Sequence, residues 1–411
     1  MNLGSRIILL AVLVGSATAA AAQDRSAVER EFQLWLMSEM WPLARTAGVL
    51  RATFDRTLEG ITLDWDLPEL EPPGAPVRRD NIEWQAEFRS PAAYFAESGL
   101  RSLVRQGRQR LSQWRTTLAE IEMRYGVPAE ILVAVWGKET VFGTFPLPEL
   151  AIRALATHAF MGRRADLFRA ELVAALTIIE NGDIAPERML SSWAGGLGQP
   201  QFQPSTFLSH AVDLDGDGRR DIWNSVPDTL ASIANFLAEK GWHAGRPVAV
   251  EAIVPADVSC ALEGPDQGKS ASEWARLGVT GIDGGPLPLD AGRPAFLLMP
   301  AGRYGPSFIV TENFYVLKEY NRSDLYALYV SHLADRFSDD RAFHGAWAAV
   351  EHFRRGDVRD LQERLVAAGH DVGGTDGLVG YKTRIAVGVT QRQLGQPATC
   401  LPDTGLISAV R

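Results

Sequence analysis

The chain has 411 residues, of which 46% are hydrophobic and 22% charged, and its formal net charge is −9. This is an ordinary soluble composition, and the length allows two or three domains. An acidic protein is poorly suited to bind the phosphates of a nucleic acid, so nucleic acid is excluded as a predicted partner.

The first 22 residues have the features of a secretory signal peptide. Arg6 precedes the apolar run 7–14, and three alanines at 20–22 offer a small-residue cleavage site. That run is too short to cross a bilayer, and no later stretch reaches membrane-spanning length. No cysteine follows the run, so lipid attachment is not expected. We therefore predict an exported, periplasmic protein without a membrane span.

The pattern of apolar residues after the signal peptide is mostly helical. Residues 67–80 look like an irregular connection, and prolines, glycines and short Val/Ile runs at 246–311 predict a small, partly β subdomain. The expected fold class is therefore mainly α. Helical segments are predicted at 24–60, 92–125, 128–143, 164–181, 227–240 and 312–338.

One carboxylate falls on an apolar helical stripe. Leu132, Val135, Trp136 and Glu139 lie at i, i+3, i+4 and i+7 of a helix that Pro128 can begin. Burial disfavours the charged form of a carboxylate and raises its pKa, as a general acid working near neutral pH requires. The alternative is a partly exposed glutamate at the end of an ordinary core helix, and the helix alone favours that alternative.

The segment 191–207, SSWAGGLGQPQFQPSTF, combines glycines with uncharged polar residues. The glycines let the backbone approach a ligand closely, and the serines and glutamines supply donors and acceptors. Such a mixture suits a sugar better than a phosphate, because no lysine follows in P-loop spacing. A polar loop between two helices explains the segment equally well.

Aspartates alternate in the segment 213–223, DLDGDGRRDIW, and Gly218 follows them. This spacing matches the first half of an EF-hand loop, in which oxygen ligands and a glycine surround Ca²⁺. A solvated acidic turn is the alternative, although clustered carboxylates without a metal would repel one another. Position 12 of the loop is Asn224 and not the usual glutamate, so the closing ligand must come from elsewhere, and we choose Asp228. We therefore predict a structural Ca²⁺ held by Asp213, Asp215, Asp217, the Arg219 carbonyl and Asp228.

Two further features leave alternatives open. The helical segment 312–336 is rich in aromatic residues, and simple packing accounts for three of them: Phe314, Tyr326 and Tyr329. Cys260 and Cys400 are the only cysteines, and export permits a disulfide, but free buried thiols are an equal alternative.

Four segments taken together resemble the lytic murein transglycosylase B family, over roughly residues 27–338. They are ILVAVWGKETVFG, HAFMGRRADLFRAEL, the glycine-rich segment with the aspartate segment that follows it, and NFYVLKEYNRSDLYA. The resemblance implies a lysozyme-like, mostly helical fold with a glycan cleft, and Glu139 as the catalytic acid. It implies that the cleft residues are Arg163, Arg164, Ser192, Gln201, Tyr320 and Asn321.

The segment 357–411 resembles the peptidoglycan-binding type 1 domain, which implies a small three-helix module. It carries as many acids as bases, whereas the rest of the chain is acidic. We therefore expect an independently folded wall anchor that takes no part in the active site.

The complete prediction is a signal peptide at 1–22, a catalytic domain at 23–350 and a peptidoglycan-binding domain at 357–411. The expected reaction is lytic cleavage of the bond between MurNAc and GlcNAc in peptidoglycan, which leaves 1,6-anhydro-MurNAc ends. It needs no cofactor, and the expected partner of the monomer is the glycan strand. A hydrolytic muramidase and a non-catalytic wall-binding protein are the alternatives.

Overall fold

The computed structural model describes residues 25–74, 91–350 and 353–409. The described residues pack into two compact units: unit 1 takes those within 1–81 and 142–233, and unit 2 those within 82–141 and 234–411. The predicted signal peptide lies outside the described residues, as do residues 75–80 of the predicted irregular connection. Within the described ranges, no helix is long and apolar enough to cross a membrane.

Unit 1 consists mainly of helices. A helical segment begins at residue 25, contains a π-helical turn at Leu36–Met40, and is followed by the other helices of this unit. Two short strands, Glu149–Leu150 and Leu190–Ser191, pair antiparallel and fix the point where the glycine-rich segment begins. The helices are Trp41–Thr46, Arg51–Leu58, Ala151–Met161, Ala165–Glu180 and Pro204–His210, with a 3₁₀ turn at Pro186–Arg188.

Unit 2 combines helices with one small sheet. The helix Ala129–Thr140 begins after Pro128 and buries Leu132, Val135 and Trp136, the stripe predicted from the sequence. The helix Val226–Glu239 contains the boundary between the two units. The remaining helices before the C-terminal region are Pro91–Tyr94, Glu97–Gln113, Arg115–Tyr125, Ala271–Arg276, Glu312–Tyr320 and Asp324–Ser338.

The sheet of unit 2 lies where the sequence predicts a partly β subdomain. Four antiparallel strands are arranged in the order Thr280–Gly281, Ala249–Ile253, Ser307–Val310, Phe296–Leu298. Trp274 is fully buried in the core that lies against this sheet, and its indole N–H donates to the Ala295 carbonyl. Short 3₁₀ turns occupy Cys260–Leu262, Pro265–Gln267 and Gly302–Tyr304.

The C-terminal region forms three helices, Arg355–Ala367, Tyr381–Gln393 and Thr404–Ala409. They share an apolar core of their own, formed by Leu361, Leu365, Val372, Ala386, Val387 and Leu406. The predicted three-helix module is therefore confirmed. A disulfide joins Cys400 of this module to Cys260, with a Cα–Cα distance of 6.1 Å, so the question that the sequence leaves open is answered.

The mainly α fold class is confirmed, but three predicted helices are divided in the structure. The segment 24–60 is interrupted between Thr46 and Arg51. The segment 92–125 is interrupted between Tyr94 and Glu97, and again at Trp114, whose φ of −105° and ψ of 21° are not helical. The segment 312–338 is interrupted at Asn321, which is extended. There Ser323 accepts the backbone N–H of Tyr326 at 3.3 Å and starts a new helix. This break matters for the site, because it separates Tyr320 from Tyr326.

Candidate active site

Glu139 lies in the last turn of the helix Ala129–Thr140 in unit 2. The residue is half-buried, and protein atoms surround its carboxyl closely. Desolvation by this burial raises the pKa of Glu139 to about 7. A hydrogen bond from Tyr326 and the charge of Lys138 act in the opposite direction and do not outweigh the burial. The carboxyl can therefore exchange a proton near neutral pH.

Tyr326 is the residue that touches Glu139, and its hydroxyl donates a hydrogen bond to Oε1 of the carboxyl. Tyr326 is 2% exposed, and burial raises the pKa of its phenol well above the usual value. It therefore stays a hydrogen-bond donor over the working pH range. The bond occupies one oxygen of the carboxyl and leaves Oε2 as the atom that can carry the exchangeable proton.

The interpretation of Tyr326 as a simple packing residue is therefore incomplete. The ring does pack inside unit 2, but the hydroxyl is a partner of Glu139. The sequence held one signal of this role, since a buried tyrosine, unlike a phenylalanine, needs a partner for its O–H. What it could not supply was the identity of that partner, 187 residues away.

The other residues predicted in this segment, Tyr320 and Asn321, have different surroundings in the structure. Tyr320 stacks on Tyr326 with ring centroids 6.4 Å apart, and burial first and then the charge of Glu139 raise the pKa of its phenol. Asn321 is exposed, and its side-chain oxygen accepts the backbone N–H of Ser323 at 3.1 Å. Tyr320 thus belongs to the surroundings of Glu139, whereas Asn321 shapes the turn between two helices.

Lys138 contributes a positive charge beside Glu139. Its ammonium lies 4.3 Å from the ring centre of Tyr94 and 4.5 Å from that of Tyr329. These cation–π contacts hold the lysine against aromatic faces. The residues around Glu139 are therefore aromatic rings and one cation. Among the groups of the described chain that shift its pKa there is no second carboxylate.

The glycine-rich segment lies in unit 1, where its own polar side chains hold its backbone. The Gln201 amide donates to the carbonyls of Gly196 and Gly198 at 3.1 and 3.0 Å, and the Ser192 hydroxyl accepts the N–H of Gly196 at 3.2 Å. A Cβ at Gly196 would lie 2.8 Å from Gln201 Oε1 and 3.0 Å from Ser192 Oγ, so a side chain there would displace both polar groups. The fold therefore brings Ser192 and Gln201 together around one glycine.

The backbone of this segment is also strained. Gln201 has a φ of 56°, a conformation that non-glycine residues adopt rarely and at a cost of about 1–3 kcal/mol. Such strain is typical of functional loops, but the two amide hydrogens of Gln201 are used inside the loop. Of the side-chain atoms of Ser192 and Gln201, the Gln201 carbonyl oxygen and the Ser192 hydroxyl hydrogen could still bind a ligand.

Trp193 is a residue of this segment that the sequence analysis did not single out. Its side chain is 38% exposed, and its carbonyl lies 3.1 Å from Nε2 of the buried His158. The histidine stacks on Phe168 at 4.5 Å and so holds this part of the loop in place. An exposed indole beside Ser192 is a surface on which a sugar ring can stack.

The predicted arginines of the GRRA segment have acidic partners in unit 1. Nε of Arg163 lies 3.1 Å from Glu71, and Nη2 of Arg164 lies 3.1 Å from Glu69. All four side chains are about one-third to one-half exposed, so each pair contributes little to stability. The arginines are therefore available to a substrate carboxylate only in competition with these glutamates.

The aspartate segment also lies in unit 1, and three of its carboxylates converge. One oxygen each from Asp213, Asp215 and Asp228 lies within 4.8 Å of the others. Asp217 stays outside this group in the described part of the chain, and its carboxyl accepts the N–H of Arg219 at 2.8 Å. The predicted role of Asp228 in closing the loop fits this geometry, while Asp217 and the Arg219 carbonyl stay predicted ligands.

Asp228 organises this loop. It is fully buried, its Oδ1 accepts the N–H of Leu214 at 2.9 Å, and its Oδ2 accepts the N–H of Asp221 at 2.9 Å. Burial raises the pKa of Asp228, and the backbone donors oppose that rise. Three carboxylates at this separation repel one another unless a cation lies between them, so the donor set fits a hard divalent ion such as Ca²⁺.

The chain matches two protein-family models and is similar to solved structures. The model of the transglycosylase SLT domain matches residues 31–335, and that of a peptidoglycan binding domain matches residues 354–409. SltB3 from Pseudomonas aeruginosa, solved with NAG-NAM-pentapeptide, is 39% identical. The match covers 92% of this chain and 99% of that chain, with a TM-score of 0.82.

Two relatives from Escherichia coli are also similar. The membrane-bound lytic murein transglycosylase B of strain K12 is 34% identical over 221 residues, which are 53% of this chain and 59% of that protein. The lytic transglycosylase Slt35, solved in complex with calcium, is 30% identical, with a TM-score of 0.53 over 61% of this chain and 78% of that chain. The predicted family is thereby confirmed: the chain belongs to the transglycosylase SLT domain family and is similar to lytic transglycosylases.

Proposed function

We propose that this protein is a lytic transglycosylase that cleaves the bond between MurNAc and GlcNAc in peptidoglycan and leaves 1,6-anhydro-MurNAc ends. The observation that carries the proposal is the carboxyl of Glu139, whose pKa of about 7 lets it both donate and accept a proton at neutral pH. A non-catalytic wall-binding protein would gain nothing from such a carboxyl.

In the first step, Glu139 donates the proton on its carboxyl to the glycosidic oxygen, and the bond from that oxygen to C1 of the muramyl residue breaks. Tyr326 donates to Oε1 throughout this step, so the proton leaves from Oε2. The leaving sugar departs with a new hydroxyl. The positive charge that develops at C1 is stabilised by the 2-acetamido group of the same muramyl residue.

In the second step, the Glu139 carboxylate takes the proton of the muramyl 6-hydroxyl, and that oxygen bonds to C1. The acid is restored, and no water is consumed. Ordinary glycosidases use a second carboxylate as nucleophile or base. The surroundings of Glu139, aromatic rings and one lysine in the described residues, are consistent with a reaction in which the substrate supplies the nucleophile.

Substrate contacts follow from the atoms that the fold leaves available. The Ser192 hydroxyl and the Gln201 carbonyl oxygen would bind acetamido and hydroxyl groups, and Trp193 would stack on a sugar ring. Tyr320 and Asn321 are also proposed as glycan-binding residues. Arg163 and Arg164 would meet lactyl or peptide carboxylates by exchanging their glutamate partners.

Calcium is proposed as a structural ion and not as a participant in the chemistry. The ligands would be Asp213, Asp215 and Asp228, which converge, together with Asp217 and the Arg219 carbonyl. The relative Slt35, solved with calcium, supports this choice of ion. A bound cation would offset the repulsion among the carboxylates and so stabilise unit 1.

The proposed organisation has a signal peptide at 1–22, a catalytic domain at 23–350 and a wall-binding domain at 357–411. The protein would act in the periplasm, where a tethered module raises the local concentration of glycan strands. The match of one family model to residues 31–335 and of the other to residues 354–409 supports the division between the last two domains.

The decisive experiment is digestion of purified peptidoglycan followed by mass spectrometry of the new chain ends. Anhydro ends are lighter than reducing ends by one water, so the expected product differs from that of a hydrolytic muramidase. Glu139→Gln serves as the matched control and should release neither product. Reducing ends released by the wild-type protein would establish the muramidase, and a wild-type protein that binds but releases nothing would establish the wall-binding protein.

A further inference from the structure

One side chain of the C-terminal module reaches into the core of unit 2. Arg384, from the helix Tyr381–Gln393, is 3% exposed. Its guanidinium forms a two-pronged pair with Glu263, with Nε–Oε2 at 2.9 Å and Nη2–Oε1 at 2.6 Å. The same Nη2 lies 2.8 Å from Oδ2 of Asp324. The module is thus joined to the catalytic region by a buried charge network as well as by a disulfide.

This network is balanced in charge. Lys318 completes it, with its Nζ 2.6 Å from Oδ1 of Asp324 and 5.7 Å from the ring centre of Tyr381. Burial alone would raise the pKa of Asp324, but Arg384 and Lys318 together hold it below the usual value. Asp324 therefore stays charged and keeps both partners at working pH.

The position of Asp324 connects this network to Glu139. Asp324 is the first residue of the helix Asp324–Ser338, and Tyr326 lies two residues later. Ser323, which precedes Asp324, accepts the backbone N–H of Tyr326, and the Tyr326 hydroxyl donates to Glu139. The path from Arg384 to the catalytic carboxyl therefore consists of two hydrogen bonds and one helical turn.

A wall anchor has no need of such a contact. The module already has an apolar core and a disulfide, and apolar residues in place of a buried ion network generally give equal or greater stability. What a two-pronged arginine adds is a defined geometry at the first turn of a helix.

We propose that Arg384 is a positioning residue for the cleavage reaction: it fixes the first turn of the helix Asp324–Ser338 and thereby the Tyr326 hydroxyl on Glu139. The inference rests on the proposed function and deepens it, because it makes the C-terminal module a part of the catalytic apparatus. It also replaces the expectation of an anchor that takes no part in the active site.

The test measures cleavage of a short, peptide-free, soluble peptidoglycan glycan by the full-length protein. Arg384→Met should lower kcat by about 2- to 10-fold with little change in KM, since couplings of this kind are modest and the loss cannot exceed that of deleting the Tyr326 hydroxyl itself. The control is Lys382→Met on the same helix, which removes an exposed pair with Asp371. It should retain the wild-type kcat.

The pH profile separates positioning from a loss of stability. Cleavage needs protonated Glu139, so activity falls as pH rises through its pKa. The groups that face Glu139 are Tyr326, Tyr320 and Lys138, with Tyr94 beside them. Of these, Tyr326 lowers the pKa of Glu139 by its hydrogen bond. Arg384→Met should weaken that bond and raise the pKa of Glu139. The falling limb of the pH–activity profile should then move to higher pH, in the same direction as for Tyr326→Phe.

A double-mutant cycle gives the sharpest result. If Arg384 acts through Tyr326, Arg384→Met should cause no further loss of kcat in a Tyr326→Phe background. Asp324→Asn provides a second route, because it breaks the link to the helix while leaving the Glu263 pair in place. It should reproduce the kcat loss and the shift of the pH limb.

The outcomes are distinct. Wild-type kcat and pH limb in folded Arg384→Met, or additive losses in the double mutant, would overturn the inference. If Arg384→Met fails to fold, the same readouts on Asp324→Asn decide. A wild-type protein that releases no anhydro ends from the glycan would instead overturn the proposed function, independently of Arg384.

Discussion

Two carboxyls whose pKa is raised by burial, one in each unit, have different roles. Glu139 in unit 2 accepts one hydroxyl donor on one oxygen, and its pKa rises to about 7. Asp228 in unit 1 accepts backbone N–H groups on both oxygens and joins two other aspartates. Burial raises the pKa of both, and the donors oppose that rise: one tyrosine hydroxyl at Glu139, and backbone N–H groups at Asp228.

The difference lies in the number and kind of donors and not in burial as such. A carboxyl with one oxygen unoccupied by the fold can exchange a proton, whereas one that is fully engaged by the backbone fixes the shape of a loop. Glu263 shows a third arrangement, in which a two-pronged arginine occupies both oxygens of a completely buried side chain.

The largest expected effect is on catalysis. Glu139→Gln should reduce cleavage by at least about 10²–10⁴-fold, because a general acid is lost, while glycan binding and folding persist. Rates of release of anhydro ends, together with circular dichroism and binding to peptidoglycan, provide the measurement. Near wild-type turnover by a folded variant would remove Glu139 from the mechanism and end the contrast with Asp228.

The second effect concerns the stability of unit 1. Ca²⁺ at one hundred times its Kd should stabilise the protein by about 2.7 kcal/mol, provided that only the native state binds it. Asp215→Asn should abolish this gain, since Asp215 belongs to the group of three carboxylates. Calorimetry with Ca²⁺ and with chelator measures both.

Asp217→Asn is the matched control for the calcium site, because Asp217 lies outside the group of three in the described residues. Retention of the gain in this variant would reduce the predicted ligand set to Asp213, Asp215 and Asp228, together with backbone oxygens. An identical melting temperature of the wild-type protein in both solutions would contradict the site as a whole.

A third effect is the loss of folding stability that the raised pKa of Glu139 causes at neutral and higher pH. Its pKa is higher in the folded than in the unfolded protein, so the stability present at low pH is lost as pH rises from 4.5 to about 7. Glu139→Gln removes this loss, so the variant should be more stable than the wild type above pH 7 by about 1–3 kcal/mol. The lower end of this range allows for solvent screening of a half-buried group. Thermal unfolding at pH 5 and pH 8 measures the difference.

Asp335 offers an internal check on that experiment. Its pKa is also raised to about 7 by burial, and it is present in both proteins. Its contribution therefore cancels when the two melting temperatures are subtracted at each pH. A difference that is equal at pH 5 and pH 8 would show that Glu139 does not titrate in this range.

The sequence predicted what local patterns determine and missed what depends on distant pairs. The stripe that ends at Glu139, the partly β segment and the three C-terminal helices are all periodic features, and each is present. The bond from Tyr326 to Glu139 and the reach of Arg384 to Asp324 join residues 187 and 60 positions apart. No local pattern encodes such partners.

The glycine-rich loop shows a different limit of prediction. Its serines and glutamines were expected to face a sugar, because their donors and acceptors match one. In the structure, the Gln201 amide and the Gln199 amide both donate to backbone carbonyls of unit 1. Composition shows which polar atoms are present, but only the fold decides which of them satisfy the backbone first.

The smallest expected effect tests whether one donor is what distinguishes Glu139 from Asp228. Tyr326→Phe keeps the buried ring and removes only the hydroxyl, so the fold should persist. We expect kcat to fall by up to about tenfold, the value of one hydrogen bond that positions the carboxyl. Because the bond lowers the pKa of Glu139, its loss should raise that pKa and move the falling limb of activity to higher pH.

Tyr329→Phe is the matched control for this variant, since Tyr329 lies on the same helix, is similarly buried and contacts Lys138. It should leave the limb in place, because the hydroxyl of Tyr329 is not among the groups that shift the pKa of Glu139. If both variants move the limb equally, the general packing of this helix, and not the Tyr326 hydroxyl, sets the acidity of Glu139. If only Tyr326→Phe moves it, one donor on one oxygen is enough to tune a buried carboxyl without fixing its charge.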